Sequence, residues 1–378
     1  MIDALQVKNY RSFPQFAVEK LGRINLLVGK NNCGKTSLLE AIQIAASGVE
    51  PQVLWEIATR RGESYVDDSE APPYRRRSEI DISHWFYGFG YERGAELRIA
   101  LLNGVSRQHC EISIAEALDA QRRLFPDDQN APTLPSRPLF SNELDADKEL
   151  YAAPAFALKV VSSESKYPQL HSLTGRGGLT IERSLKGSRN SKETDVVFVP
   201  TAGLATSSLV AMVDDLALTD DEGLALKAMQ TLDGRIERFA AKGRDSRPRI
   251  MIRLQGTSKP LPIGSLGDGV NRLLTIAVAL AKSAGGILLI DEIDTGLHHT
   301  TMDRMWKFVS DAAAQLNVQV FATTHSRDCY ESLSVVCEDP NSSLDSVSIQ
   351  RIDAARSTAI SYTKDEIVAA ARRGLEVR

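Results

Sequence analysis

The chain is short of the features that mark several protein classes. It has four cysteines in 378 residues (Cys33, Cys110, Cys329 and Cys337), with neither a CxxC pair nor disulfide-like density. A reduced, cytoplasmic chain is therefore expected rather than a secreted disulfide scaffold. Its longest largely apolar stretch, Leu273 to Ala281, is bounded by Arg272 and Lys282 and falls well short of the ~18 residues a membrane helix needs, so no membrane partner is expected. The opening Met1-Ile2-Asp3-Ala4 lacks a basic start followed by an apolar run, and no signal peptide is read. An excess of one charge is lacking too. Lys and Arg number 45 against 49 Asp and Glu, a net charge of −4, which excludes a uniformly basic nucleic-acid coat but not a local basic patch. No solenoid period, heptad run or zinc-like Cys/His spacing is present. What remains, at 43% hydrophobic and 25% charged residues, is an ordinary globular chain of two or three units, or one large unit with an insertion.

The two ends carry regular α/β patterning and the middle does not. Ile2, Leu5 and Val7 fall on a short strand, and Ile24 to Val28 form a second. Leu38, Leu39, Ile42 and Ala45 then follow at helical spacing from about Lys35. From about Asp195 the alternation returns. Strands are expected at Val196–Val199, Ile250–Leu254, Ile287–Ile290 and Val318–Phe321, with helices at about Val270–Lys282 and Thr300–Leu316. Leu224, Ala228, Leu232, Ile236 and Phe239 read as one face of a further helix. This is the strand–helix–strand rhythm of a mostly parallel sheet. Residues 1–48 and 195–378 are thus expected to form one α/β body, interrupted by an insertion over 49–194. That insertion shows strands at Leu97–Leu102, Glu111–Ile114 and Phe156–Val161, and a long Pro/Asp/Asn/Ser-rich loop or lid from Asp127 to Lys148.

Gly29-Lys30-Asn31-Asn32-Cys33-Gly34-Lys35-Thr36 matches G-x-x-x-x-G-K-[ST], with an apolar strand entering it and an amphipathic helix leaving it. Glycines let the backbone curl so that N–H groups point at phosphates, and the helix N-terminus adds its positive end. Lys35 is suited to the β- and γ-phosphates and the Thr36 hydroxyl to Mg²⁺. Gly29, Asn31, Asn32, Cys33, Gly34 and Ser37 complete the cradle. Cys33 reads as a small residue at a permissive position rather than a redox centre.

Leu288-Leu289-Ile290-Asp291-Glu292 is an apolar strand ending in two carboxylates. At the C-terminal edge of a parallel sheet, Asp291 is placed to hold the metal shell and Glu292 to act as general base on water. Val320 to Ser326 is another apolar strand, and it ends in His325, a candidate γ-phosphate sensor.

Together these residues resemble the ABC-type ATPase heads of the SMC/RecF/OLD group, and most of all its stand-alone OLD-like AAA-type ATP-binding proteins. The resemblance rests on Leu5 to Phe13 (with Asn9-Tyr10-Arg11-Ser12-Phe13), the P-loop continued by Ser37 to Ile42, and Leu266-Gly267-Asp268-Gly269-Val270 in the place of the signature loop. Asp291 to His298 stands for Walker B plus D-loop, and Thr324-His325-Ser326 for the switch histidine. It covers about residues 1–48 and 195–378. It implies a P-loop NTPase fold with an ABC/RecF-like head: a mostly parallel core plus antiparallel strands and a middle insertion.

The resemblance also implies ATP and Mg²⁺ as cofactors and a site completed by a second copy, whose Gly267, Gly269 and Asp294 would cap the nucleotide. Gly267 stands where the signature normally offers a serine, which would leave the contact to backbone N–H groups. Lys8 or Arg11 would approach the nucleotide or, as exposed turn residues, simply face solvent. The Q-loop is unassigned; His84 is a candidate, with a buried core histidine the plainer reading. About fifty residues follow His325, too few for a TOPRIM nuclease domain. The expected function is an ATP-driven switch in DNA maintenance or anti-phage defence that controls a separate effector such as a nuclease or toxin. A slow ATP-gated scaffold and an ABC transporter subunit are the alternatives. Direct DNA contact stays open, through Arg75-Arg76-Arg77, Arg122-Arg123 or Lys186 and Arg189.

Overall fold

The computed structural model describes residues 1–66, 78–92, 94–104, 106–116, 156–163, 168–173, 178–181, 196–243, 248–339 and 346–373. It divides into two compact units. One comprises Met1–Ala4, Val18–Leu39 and Thr194–Arg378, the other Leu5–Ala17 and Glu40–Glu193. The stretch 1–48 is thus shared between them.

The first unit is built on a six-stranded sheet in the order Val196–Val199, Ile287–Ile290, Gln319–Thr323, Ile24–Val28, Val347–Arg351, Ile360–Thr363. The first five run parallel, and the last pairs antiparallel with its neighbour. Ile24–Val28, Ile287–Ile290 and Gln319–Thr323 are buried along their whole length, as apolar runs covered on both faces should be. Parallel pairing sends the C-terminal ends of these strands to one edge, where ligands of such sheets bind. The helix Asp268–Lys282 is buried from Arg272 to Ala281. The helix His299–Gln315 is tied to the helix Arg327–Glu338 by a hydrogen bond from Trp306 Nε1 to the Cys329 carbonyl, 2.9 Å. No helix among the described residues is long and apolar enough to cross a membrane.

Two expectations for this unit are corrected. The predicted helical face Leu224–Phe239 ends early: the helix is Asp220–Gln230, and Ile236–Lys242 is a strand. Asp233-Gly234 breaks the helix, because the Asp233 carboxylate accepts from the Arg235 backbone N–H at 3.0 Å and closes an Asx turn. Ile250–Leu254 is a strand, as predicted, but it belongs to a separate antiparallel sheet of Ile236–Lys242, Arg249–Leu254 and Leu261–Pro262. The helices Thr206–Leu216 and Arg327–Glu338 were not expected.

The second unit holds a six-stranded sheet in the order Phe13–Val18, Ala4–Tyr10, Glu96–Asn103, Ser106–Glu116, Phe156–Ser162, Gln169–Ser172, its last four strands antiparallel. A small sheet of Gly178–Ile181, Ser78–Asp81 and Ser64–Val66 accompanies it, with the helix Pro51–Arg61. The three strands expected in the insertion are all present. The Asp127–Lys148 loop lies outside the described residues.

Candidate functional site

The strand Ile24–Val28 runs into the phosphate loop, and the helix Lys35–Ala46 leaves it. The loop turns through left-handed or near-extended positive φ at Gly29 (149°), Asn32 (60°) and Gly34 (95°). At Gly29 a side chain is excluded: a Cβ there would sit 2.5 Å from the Ile352 carbonyl oxygen and 2.9 Å from Cys33 Sγ. Asn31 and Asn32 are exposed, while Cys33, Lys35 and Ser37 are buried. Lys35 folds back over the loop, Nζ donating to the carbonyls of Gly29 at 3.0 Å and Lys30 at 3.1 Å. Burial pushes the Cys33 thiol up, against the pull of Lys35, which suits a packing residue.

Asp291 follows the buried strand Ile287–Ile290 and meets three hydroxyls. Thr36 Oγ1 donates to its carboxylate at 3.0 Å, Thr201 Oγ1 at 2.9 Å and Thr323 Oγ1 at 2.7 Å. Thr36 and Asp291 were expected here; Thr201 and Thr323 were not. Both were in reach of the sequence, since Thr323 ends one strand of the sheet and Thr201 follows another by two residues. The strand Gln319–Thr323 lies between the P-loop strand and the acidic strand, and its Thr323 hydroxyl bonds both the Asp291 carboxylate and the Glu292 N–H. Hard oxygens from Thr36 and Asp291 are the donor type Mg²⁺ takes from protein when phosphate and water supply the rest.

Glu292 has a left-handed backbone, φ 51°, a conformation that costs an L-residue about 1–2 kcal/mol and often marks a functional turn. Its Oε2 is buried, and His325 Nδ1 lies 2.8 Å away as an ion-pair contact. The His325 side chain is 59% exposed and that of Glu292 17%. The pair therefore joins a sheltered carboxylate to a solvent-facing ring. The next acidic residue, Asp294, accepts from Thr324 Oγ1 at 2.7 Å.

Arg272, on the helix after the signature-like loop, was not expected. It is 5% exposed and donates to the carbonyls of Pro200 at 3.2 Å, Asp291 at 2.9 Å and Glu292 at 2.7 Å. Burial lowers its pKa, and the nearby Asp294, Asp291 and Glu292 oppose that shift. The signature-like loop rests on the D-loop-like turn of the same chain. A Cβ on Gly269 would meet the Gly296 carbonyl at 3.2 Å, and one on Gly296 would meet Asp268 Cβ at 3.2 Å. Gly267 and Asp268 are exposed, with Gly267 at φ 89°.

Arg11 is corrected. It is not a solvated turn residue: it is 5% exposed, with Nη1 and Nη2 donating to both Glu63 oxygens at 2.7 and 3.1 Å and Nε 3.1 Å from Glu40. Arg61 grips the same Glu40 at 2.9 Å. Burial opposes the charge on Arg11, but Tyr10, Glu40 and Glu63 outweigh it and raise its pKa. Carboxylates, not phosphate, take its donors. The buried reading of His84 is corrected as well: its side chain is 42% exposed and 3.5 Å from Asp81. Lys8 is exposed on its strand. Arg75-Arg76-Arg77, Arg122-Arg123, Lys186 and Arg189 lie outside the described residues.

Comparison with known proteins bears on this edge. Over 357 residues the chain is 22% identical to an ATP/GTP phosphatase of Helicobacter pylori, spanning 90% of this chain and 89% of that protein. A shorter match, 43% identical over 54 residues, is to the DNA double-strand break repair Rad50 ATPase of Archaeoglobus fulgidus and spans 14% of this chain and 6% of that one. Among solved structures, the SMC head domain from Thermotoga maritima aligns with 96% of this chain and 98% of its own at 11% identity and a TM-score of 0.44. Residues 24–328 match the family described as "AAA domain, putative AbiEii toxin, Type IV TA system". That match runs from the strand feeding the phosphate loop to just past His325 and so takes in Lys35, Arg272, Asp291 and Glu292; the chain belongs to this family and is an AAA-type P-loop ATPase domain.

Proposed function

We propose that the chain is a Mg²⁺-dependent ATPase whose nucleotide state, expressed as association of two copies, is read by a separate effector in DNA maintenance or anti-phage defence. The observation that carries this reading is the convergence of Lys35, Thr36, Asp291, Glu292 and His325 at one edge of a parallel sheet. Lys35 swings from the Gly29 carbonyl to the β- and γ-phosphates. Thr36 and Asp291 would hold Mg²⁺, which would offset phosphate charge. Glu292 Oε2, sheltered and beside His325 Nδ1 at 2.8 Å, takes the proton of the attacking water, and His325 contacts the γ-phosphate.

Association of two copies draws support from the exposed Gly267-Asp268 step packed on the Gly296 turn. This offers a second copy's phosphates a helix N-terminus with free N–H groups. The OLD-like resemblance and the short likeness to a repair ATPase support DNA maintenance, and the description of the family supports a place in a toxin–antitoxin system.

The test uses Glu292→Gln, which keeps the geometry and removes the base. With ATP and Mg²⁺ it is expected to run as a dimer by light scattering and to capture its effector from native extract, while wild type turns ATP over. A wild type that binds ATP but never hydrolyses it would replace the switch with the scaffold reading. A Glu292→Gln protein that stays monomeric with bound ATP would overturn association through the nucleotide face.

A further inference from the structure

The helix Asp268–Lys282 begins at the signature-like loop, and one turn further on it carries Arg272. One nitrogen of this side chain, Nη2, donates both to the Asp291 carbonyl at 2.9 Å and to the Glu292 carbonyl at 2.7 Å. Those two carbonyl groups flank the Glu292 Cα, so a single donor spans the torsion that is left-handed there, φ 51°. The other terminal nitrogen, Nη1, holds the Pro200 carbonyl at 3.2 Å, at the end of the adjacent parallel strand.

The remaining partners of the turn come from elsewhere in the sheet. The Asp291 N–H donates to the Val199 carbonyl at 2.9 Å, the Glu292 N–H to Thr323 Oγ1 at 2.8 Å, and the Ile293 N–H to the Thr323 carbonyl at 3.0 Å. Every N–H of the turn is thus fixed by the sheet; Arg272 holds the Asp291 carbonyl, and it shares the Glu292 carbonyl with the Thr295 N–H at 3.1 Å. Arg272 Nε is buried with no acceptor, and among the described residues no carboxylate lies within ion-pair distance of the guanidinium. A buried cation that bonds three carbonyls and no carboxylate is a costly arrangement. Its return is control of one backbone turn.

We propose that Arg272 is a positioning residue that sets the Glu292 turn and ties it to the signature-like loop of the same chain. This rests on the reading of Glu292 as the base. The helix is packed from Arg272 to Ala281 in the core and moves as a rigid rod. A displacement of Gly267–Gly269, when a second copy's nucleotide docks there, therefore reaches the Asp291 and Glu292 carbonyls through one side chain. The carboxylate of one copy thereby registers whether its own signature loop is engaged.

The test compares Arg272→Met and Arg272→Lys with wild type, each also in a Glu292→Gln background. Arg272→Met is expected to lower kcat about 100-fold with KM within threefold, the pattern of lost positioning rather than lost binding. Arg272→Lys keeps the cation but cannot span both carbonyls while holding Pro200, and is expected to lie between, at about tenfold. In the Glu292→Gln background neither substitution should change the residual rate more than twofold, because the group being positioned is already gone.

Hydrogen exchange supplies a readout independent of turnover. Amides 291–293 should exchange at least tenfold faster in Arg272→Lys, with the helix 268–282 and the strand 319–323 unchanged. Equal slowing in both backgrounds, faster exchange throughout the unit, or a raised KM with kcat intact would each overturn the proposal. A wild type without turnover would sink the ATPase reading instead, and the exchange pattern would then decide on Arg272 alone. If Arg272→Met does not fold, Arg272→Lys carries both measurements.

Discussion

Thr36 Oγ1 lies 3.0 Å from Asp291 Oδ1, joining residues 255 positions apart across one end of the parallel sheet. Neither side chain is on the strand that separates their two elements. Thr323 fills that gap and donates to the same carboxylate oxygen at 2.7 Å. The Asp291 carboxylate is therefore oriented by three hydroxyls before any ligand contact is considered.

Asp291→Asn tests this arrangement as a metal site. The amide keeps the shape and an acceptor oxygen but loses the charge that holds a divalent cation. Turnover is expected to fall on the order of 100-fold and the Mg²⁺ concentration for half-activation to rise, with ATP still bound in EDTA. An unchanged Mg²⁺ activation curve would remove Asp291 from the metal shell.

Gly29→Ala addresses the cradle. The methyl group would meet the Ile352 carbonyl at 2.5 Å, a backbone atom that cannot rotate away. Nucleotide affinity, followed with a fluorescent ATP analogue, should drop at least tenfold as the loop shifts. Gly264→Ala is the matched control, since nothing lies within 4 Å of its Cβ position, and it should bind as wild type does. Equal affinities for the two variants would show that the loop yields.

The edge residues were legible because each sits at the end of an apolar run: Gly29 after Ile24–Val28, Asp291 after Ile287–Ile290, His325 after Gln319–Thr323. Burial on both faces writes itself into sequence as continuous hydrophobicity, and parallel pairing makes those ends coincide. Arg272 was not legible, because an arginine four residues into a helix normally faces water, and only the tertiary fold shows the carbonyls it meets. Arg11 misled for the same reason: its partners Glu40 and Glu63 are distant in sequence and bear no spacing rule. The strand Ile236–Lys242 was misread because Ile236 and Phe239 happen to continue the helical period of Leu224 and Ala228. The Asp233-Gly234 turn between them was the stronger signal.

The Arg11–Glu63 pair makes a stability prediction. Arg11 is 5% exposed and bonds Glu63 through two parallel contacts. Removing one partner of a buried pair strands the other charge, at a cost of about 3–5 kcal/mol. Arg11→Met should therefore lower the urea midpoint sharply, and Glu63→Leu added to it should recover part of the loss. A double variant less stable than either single one would mean that Glu40 and Arg61, not Glu63, carry the balance of charge.

Alkaline stability provides the last prediction, and its sign follows from burial. All four cysteines are buried. Burial pushes the Cys110 thiol up to about 12 from an ordinary 9.0, and the Cys337 thiol to about 11. Cys33 and Cys329 shift the same way. Tyr10, fully enclosed, is raised from 10.0 to about 12, burial again being the largest cause. In each case the folded state keeps the neutral form while the unfolded chain ionises at its ordinary value. The contribution is thus complete below the unfolded pKa and is lost as pH rises toward the folded one. Urea midpoints should stay level from pH 7 to about 8.5 and fall beyond pH 9, more steeply once Tyr10 joins near pH 10. Cys110→Ala removes one of these protons from the balance. It should begin less stable than wild type, because its side chain fills less of the core. The gap should then narrow by roughly 1.4 kcal/mol per pH unit above pH 9. A gap that holds constant from pH 8 to 10 would mean that the Cys110 thiol ionises in the folded chain as readily as in the unfolded one, and that its place between Ile99 and Ser162 on the sheet does not shelter it from water.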